Sequence, residues 1–134
     1  MGKFKLYLLK FSVVLLTLNC GTEKDLRVID DFGKYSVSGG MTLHVSNKEG
    51  LLDYQLINSQ GELLLETFTP VSIYHRWGMC IDDDQTLWVF TSDRGNYKWE
   101  KNSETGSYEA TWLDRNDLVP EEILKTELKR FVSR

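Results

Sequence analysis

Residues 80–99 read CIDDDQTLWVFTSDRGNYKW, and this stretch decides the fold class of the chain. Two clusters of turn-forming residues, DDDQ at 82–85 and DRGN at 93–96, enclose a short run rich in β-branched and aromatic residues. Such runs between turn clusters are typical of antiparallel strands joined by hairpins. The same pattern recurs around NKEG (47–50), NSQG (58–61) and SETG (103–106). The spacing predicts a mainly β domain of about seven antiparallel strands.

The length of each turn predicts which side chains share a face, because a hairpin loop fixes the register of its two strands. If every cluster is a four-residue loop, Val45 lies opposite Leu52, Met79 opposite Trp88, and Tyr97 opposite Trp112. One predicted face belongs to the first strands: Met41, Leu43, Val45, Leu52, Tyr54, Leu56, Leu63 and Leu65. The other carries all four tryptophans and four more apolar residues: Trp77, Trp88, Trp99, Trp112, Met79, Phe90, Tyr97 and Tyr108. Two apolar faces that must meet predict a meander rolled into a small barrel or barrel-like sandwich.

The C-terminal segment PEEILKTELKRFVSR predicts an α-helix at about 119–132. Pro120 suits the first helical position, and the acids that follow suit the positive end of the helix dipole. Apolar residues recur at helical spacing: Ile123, Leu124, Leu128, Phe131 and Val132. Such a stripe can cover the small apolar patch predicted on the back of the second half, at Cys80, Leu87 and Val89.

The N-terminal segment MGKFKLYLLKFSVVLLTLNC has three lysines, no acid, and an apolar run from Phe11 to Leu18 that is too short to span a membrane comfortably. This order is typical of a secretory signal peptide. The stretch LLTLNCG resembles the lipobox of bacterial lipoproteins, although Thr17 and Asn19 stand where that family prefers Leu and a small residue. The resemblance implies that Cys20 is lipidated and becomes the mature N-terminus. An ordinary signal peptide and an uncleaved anchor are the alternatives.

This organisation predicts a signal peptide at 1–20, a polar tether at 21–34 and a single β-domain at 35–134 with its C-terminal helix. The resemblance to lipoproteins implies a protein of the bacterial cell envelope, held to the membrane at Cys20 and facing the periplasm or the cell exterior. Since residues 1–20 carry three lysines and no acid, their removal takes the formal net charge from −4 to −7. A charge of this sign argues against nucleic acid as a partner, since nucleic-acid binding needs a basic surface.

Residues with catalytic or metal-binding chemistry form no recognisable constellation. Asp82, Asp83 and Asp84 lack the alternating spacing of a calcium loop, so we expect a solvated turn and no metal site. His75 and Cys80 are five residues apart on one strand and therefore point to opposite faces. If Cys20 carries lipid, Cys80 has no intramolecular disulfide partner. We expect no catalytic residues, no cofactor and no enzymatic activity.

Function then depends on the tryptophan face. The stretch DDDQTLWVFTSDRG also resembles one blade of the sensor-type β-propellers, but a propeller needs several copies and the chain has one, so we interpret it as a hairpin. As a core, the tryptophan face explains stability; as an open surface, it would bind an apolar or glycan ligand. We expect a non-enzymatic binding or envelope-interaction module with an envelope protein as partner. The alternative is a carrier of a small hydrophobic or glycan ligand in a cavity lined by Trp77, Trp88, Trp99 and Trp112.

Overall fold

Eight strands form two antiparallel four-stranded sheets in the computed structural model, which describes residues 26–132. The first sheet has the order β1-β2-β3-β4 and the second β5-β6-β7-β8, so each is a simple meander. The strands are β1 (Gly33–Val37), β2 (Met41–Lys48), β3 (Leu51–Ile57), β4 (Leu63–Glu66), β5 (Trp77–Ile81), β6 (Leu87–Thr91), β7 (Tyr97–Lys101) and β8 (Tyr108–Trp112). The mainly β, antiparallel prediction is confirmed. Among residues 26–132 the sheets form two layers that do not close into a barrel, and they contain eight strands where the sequence predicted about seven.

The first sheet buries the apolar face that the sequence predicts, although its register differs. The β2–β3 loop has only two residues, Glu49 and Gly50, both with positive φ (56° and 83°). Val45 therefore lies opposite Tyr54 and not Leu52. A shift of two residues leaves every side chain on its predicted face, because the side-chain period of a strand is two.

Leu63 is the exception on this face, with 52% of its surface exposed. The β3–β4 loop is closed by a hydrogen bond from Asn58 N to Glu62 O (3.0 Å), which leaves three residues in the loop and would reverse the faces of β4. A β-bulge between Leu56 and Ile57 adds one more residue and restores the face from Leu65 onward. Leu65 is accordingly 4% exposed, whereas Leu63 lies opposite Ile57 on the outer face.

The prediction that all four tryptophans share one face is wrong. A hydrogen bond from Asp82 N to Thr86 O (3.1 Å) closes a three-residue loop in which Gln85 has φ 63°. Such a loop pairs Cys80 with Trp88 and so moves Trp88 to the outer face of the second sheet.

The loop between β6 and β7 does not have four residues either. Val89 pairs with Tyr97, whereas a four-residue loop would pair Ser92 with Tyr97, so the register again differs by an odd number of residues. Phe90 joins Trp88 on the outer face. The SETG loop does have four residues, and the predicted pair Tyr97–Trp112 is confirmed. The inner face of the second sheet therefore carries Trp77, Met79, Leu87, Val89, Tyr97, Trp99, Tyr108 and Trp112.

The main core lies between the sheets, where buried side chains of both inner faces meet. Ile29 belongs to this core at 1% exposure, and its backbone exchanges two 2.8 Å hydrogen bonds with Met79 of β5. The part of the predicted 21–34 tether that the structure describes is therefore not a free tether. The backbone pairing of Ile29 with Met79 attaches this N-terminal segment to the second sheet. Cys20, the signal peptide and residues 21–25 lie outside the described residues.

The C-terminal segment covers the outer face of the second sheet and forms a second apolar cluster with it. Cys80, Trp88 and Phe90 pack there against Ile123 and Leu128, so β5 and β6 are buried on both faces. The C-terminal segment therefore covers the outer face of the second sheet, and Cys80 is covered as predicted. The other covered residues are Trp88 and Phe90, whereas Leu87 and Val89 lie in the main core. No helix among residues 26–132 is long and apolar enough to span a bilayer.

The predicted single helix at 119–132 is wrong in its continuity. A one-turn α-helix α1 (Glu121–Leu124) is followed by a 3₁₀ helix (Glu127–Phe131). Thr126 separates them, because its side chain accepts a hydrogen bond from Leu128 N and begins a new helix. Leu124 is consequently 37% exposed and does not join the apolar stripe.

Candidate functional site

The four tryptophans occupy three different environments. Trp77 is 8% exposed and packs beside Phe32, with ring centroids 5.8 Å apart. Trp88 is 4% exposed on the opposite side of the sheet. Trp99 and Trp112 both contact Phe68, at centroid distances of 6.0 and 5.5 Å. The four rings therefore do not line one cavity, and only Trp99 and Trp112 share a site.

An aromatic ledge, which we define as Phe68, Trp99 and Trp112, lies where the ends of β4 and β8 approach each other. Phe68 follows β4, and Trp112 is the last residue of β8. Phe68 and Trp112 remain 42% and 45% exposed although each also contacts Tyr97, at 5.3 Å between ring centroids. The ledge therefore presents aromatic surface to solvent on a packed base.

A buried hydrogen-bond network holds the ledge in position. Tyr54 Oη accepts from Trp99 Nε1 (3.0 Å) and from Phe68 N (3.3 Å). Tyr54 Oη and Tyr97 Oη share a further hydrogen bond, in which either hydroxyl can be the donor. Burial raises the pKa of both tyrosines, so the network is neutral. Two of the three ledge residues are thus fixed by one hydroxyl group.

A groove of about 310 Å³ adjoins Phe68. Its lining includes Leu51, Leu52, Asp53, Thr67, Phe68 and Pro70. Leu51 is 43% exposed, whereas Thr67 is fixed by hydrogen bonds to Asp53 Oδ1 (3.0 Å) and from Tyr54 N (2.9 Å). Apolar surface with a few fixed polar groups is suited to an apolar side chain or a sugar ring.

A second cavity of about 350 Å³ lies between the β6–β7 loop and the C-terminal 3₁₀ helix, and Arg76 and Arg130 line it. Asn96 joins its two walls, because Nδ2 donates to Phe131 O (3.1 Å) and Oδ1 accepts from Thr91 N (3.2 Å). The two guanidinium groups make this cavity more favourable for an anionic group than for an apolar one.

The acidic run is not uniformly solvated, which corrects the prediction for one of its residues. Asp82 is 9% exposed, and its carboxylate accepts hydrogen bonds from Asp84 N (2.9 Å), Thr86 N (3.0 Å) and Trp88 Nε1 (2.9 Å). It closes the hairpin turn and provides the buried indole N–H with a partner. Asp83 and Asp84 are exposed, as expected for a turn.

Cys80, the nucleophile candidate, lies on the opposite face of the second sheet from Trp99 and Trp112. Cys80 is fully buried, and desolvation raises the pKa of its thiol to about 12, with smaller contributions from Asp82 and Glu122. His75 is half exposed, with Nε2 3.8 Å from Asp93 Oδ1. Among residues 26–132 no group of three or more His, Cys, Asp and Glu side chains is placed to hold a metal ion.

Sequence reasoning identified Trp99 and Trp112 but missed Phe68 and Tyr54. Phe68 belongs to the TFTPVS segment, which the pattern marked only as the break between the two halves. An aromatic residue between threonines in a connecting segment was the signal available for it. Comparisons with protein-family models, with curated proteins and with solved structures found no match.

Proposed function

We propose that this chain is an exported, lipid-anchored, non-enzymatic binding module of the bacterial cell envelope, which contacts a partner protein through the aromatic ledge and its groove. The observation that carries this proposal is the exposure of Phe68 and Trp112, at 42% and 45%, on a base fixed by buried hydrogen bonds. Exposed aromatic surface that is already ordered favours binding, because little side-chain entropy remains to be lost.

The proposed anchor at Cys20 would restrict where the partner lies. Ile29 is packed into the core, so only residues 21–28 separate Cys20 from the domain. Even fully extended, such a segment spans at most about 30 Å. A domain held this closely would meet envelope proteins near the membrane on its periplasmic or exterior side.

The groove favours a second candidate function, the binding of a small apolar or glycan ligand. A cavity formed by four tryptophans is not available, because Trp88 lies on the other side of the sheet. A sugar ring could instead stack on Phe68 and hydrogen-bond to Asp53 and Thr67, which line the same groove.

Site-specific photo-crosslinking in living cells tests the proposed contact surface. A benzophenone amino acid placed at Phe68 should give a discrete protein adduct. The same group at His44, on the outer face of the first sheet, should give none. Adducts of equal yield at both sites, or no adduct at Phe68, would show that the ledge does not contact a protein.

Two further measurements separate the other parts of the proposal. Titration of the wild-type chain with peptidoglycan fragments and with fatty acids should leave its tryptophan emission unchanged if the partner is a protein. A saturable change that Phe68→Ala abolishes would favour the small-ligand function. For the anchor, Cys20→Ala should abolish fatty-acid labelling and release the chain from membranes. Labelling that persists in this variant would refute lipidation at Cys20.

A further inference from the structure

Strand β8 is an edge strand whose only protection against pairing with another chain is one charged residue, Glu109. The other edges are also protected. At the edge strand β5, the backbone of Met79 is hydrogen-bonded to Ile29. The edge strand β1 carries a charged residue, Lys34. Strand β4 has only four residues and contains a bulge, in which Leu64 is the extra residue. By contrast, β8 has five residues, YEATW, with no proline, lysine or bulge, and among the described residues only β7 pairs with it.

The hydrogen bonds at the two ends of β8 show which of its backbone groups are free. Leu113 N donates to Asn96 O (2.9 Å), and Asn102 N donates to Ser107 O (2.7 Å), so the odd-numbered residues turn their backbone toward β7. In an antiparallel ladder alternate residues point the opposite way. The N–H and C=O groups of Tyr108, Ala110 and Trp112 therefore point outward.

We propose that β8 pairs with β8 of a second copy of this chain, antiparallel about a two-fold axis at Ala110. Tyr108 then lies opposite Trp112 of the second copy, and Ala110 lies opposite its own counterpart. All three pairs are of the type that exchanges two backbone hydrogen bonds, because these residues carry the outward groups. The result is one continuous sheet of eight strands across the dimer.

The side chains of β8 are complementary to themselves in this register. On the inner face an aromatic pair, Tyr108 and Trp112, lies on either side of the small Ala110, and the 45% exposed Trp112 gains a neighbour. On the outer face Glu109 lies opposite Thr111, so no like charges meet. A two-fold interface requires such self-complementarity, since each residue meets its pair partner twice.

The dimer should be weak, because a single strand from each copy falls in the small-interface class. Its backbone contacts do not involve residues 48–53 or 67–70, so the groove lies outside the pairing, whereas Trp112 belongs both to the ledge and to the dimer contact. This inference goes beyond the proposed function and does not depend on the ledge binding a partner.

Disulfide trapping of the full-length chain in its native membranes tests the axis. Residues opposite each other in such a pair have Cα atoms about 5.5 Å apart, within the range that a disulfide requires. Ala110→Cys should form an interchain disulfide on mild oxidation. Glu109→Cys, one residue from the axis, is the matched control and should not. Equal crosslinking of both variants, or none at residue 110, would overturn the proposal.

Charge variants at the exposed Thr111 provide an independent check in the Ala110→Cys background. Thr111→Lys places lysine opposite Glu109 of the second copy at two symmetric positions, whereas Thr111→Glu places two acids together. We expect about fivefold more disulfide dimer with lysine than with glutamate. Within one chain Thr111 pairs with Lys98, so effects on folding alone would have the opposite order. That opposite order in the dimer yield would refute the proposed register.

Discussion

Replacing Asp82 with asparagine tests whether the acidic run is a structural element of the second sheet. Asparagine retains an oxygen that can accept from Asp84 N and Thr86 N, the two turn bonds of Asp82 Oδ1. It replaces the Oδ2 that accepts from Trp88 Nε1 at 2.9 Å with an amide that donates. A hydrogen bond to a charged acceptor contributes about 1.5–3 kcal/mol, and the indole N–H would remain buried without a partner. We therefore expect Asp82→Asn to lower the free energy of unfolding by about 2 kcal/mol.

Urea denaturation followed by circular dichroism measures this loss, and a double-mutant cycle assigns it to the contact. In the Trp88→Phe background the indole donor is absent, so most of the effect of Asp82→Asn should disappear, with a coupling energy of about 1–2 kcal/mol. Asp84→Asn is the matched control, because it makes the same charge change in the same turn at an exposed position. Its cost should be below about 0.5 kcal/mol.

Two outcomes would refute this reasoning. If Asp82→Asn and Asp84→Asn cost the same, the run is a solvated turn without a structural carboxylate. If the cost of Asp82→Asn is unchanged in the Trp88→Phe background, the indole is not the partner that matters.

Three further predictions follow from the core. The pKa of Cys80 rises from 9.0 to about 12 on folding, so the unfolded chain ionises first and stability is lost above pH 9. Between pH 9 and pH 10 the free energy of unfolding should fall by about 1 kcal/mol more than in Cys80→Ala, and equal slopes in urea titrations would contradict the burial of the thiol. A Cβ on Gly78 would lie 2.5 Å from Leu128 Cδ2, so Gly78→Ala should cost about 1–2 kcal/mol, and less in the Leu128→Ala background. An equal cost in both backgrounds, measured by thermal unfolding, would exclude this contact. Tyr97→Phe should cost about 1–2 kcal/mol because the buried Tyr54 hydroxyl loses a hydrogen-bond partner, and a neutral result in urea would show that the hydroxyl pair is not structural.

Much of the first sheet could be predicted from the pattern of the chain. Met41, Leu43 and Val45 alternate with polar residues. The face of each side chain stays the same when the predicted register is wrong by an even number of residues. The C-terminal cover was also foreseeable from its apolar spacing, although its break at Thr126 depends on a side-chain cap that competes with a continuous helix.

Only half of the candidate site could be predicted from the sequence. Trp99 and Trp112 lie on strands joined by a loop of the predicted length, so their shared face was correct. Phe68 and Tyr54 come from the other sheet, and no local pattern indicates which residue of one sheet will pack on which residue of the other. Such contacts depend on how the two layers pack, which is a property of the whole fold.

The sequence by itself determined the fold class, the turn positions, the apolar face of the first sheet and the presence of an apolar C-terminal cover. These follow from local composition and from periods of two and 3.6 residues. Only the tertiary structure decided the faces of the second sheet. The DDDQ and DRGN clusters each close a loop whose length differs from four residues by an odd number, and an odd change reverses every side chain that follows. In the first of these loops the left-handed residue is Gln85, not glycine, and a backbone conformation stabilised by the Asp82 carboxylate cannot be read from residue types alone. The turn that this carboxylate stabilises places Trp88 in the second apolar cluster and not on the predicted binding face.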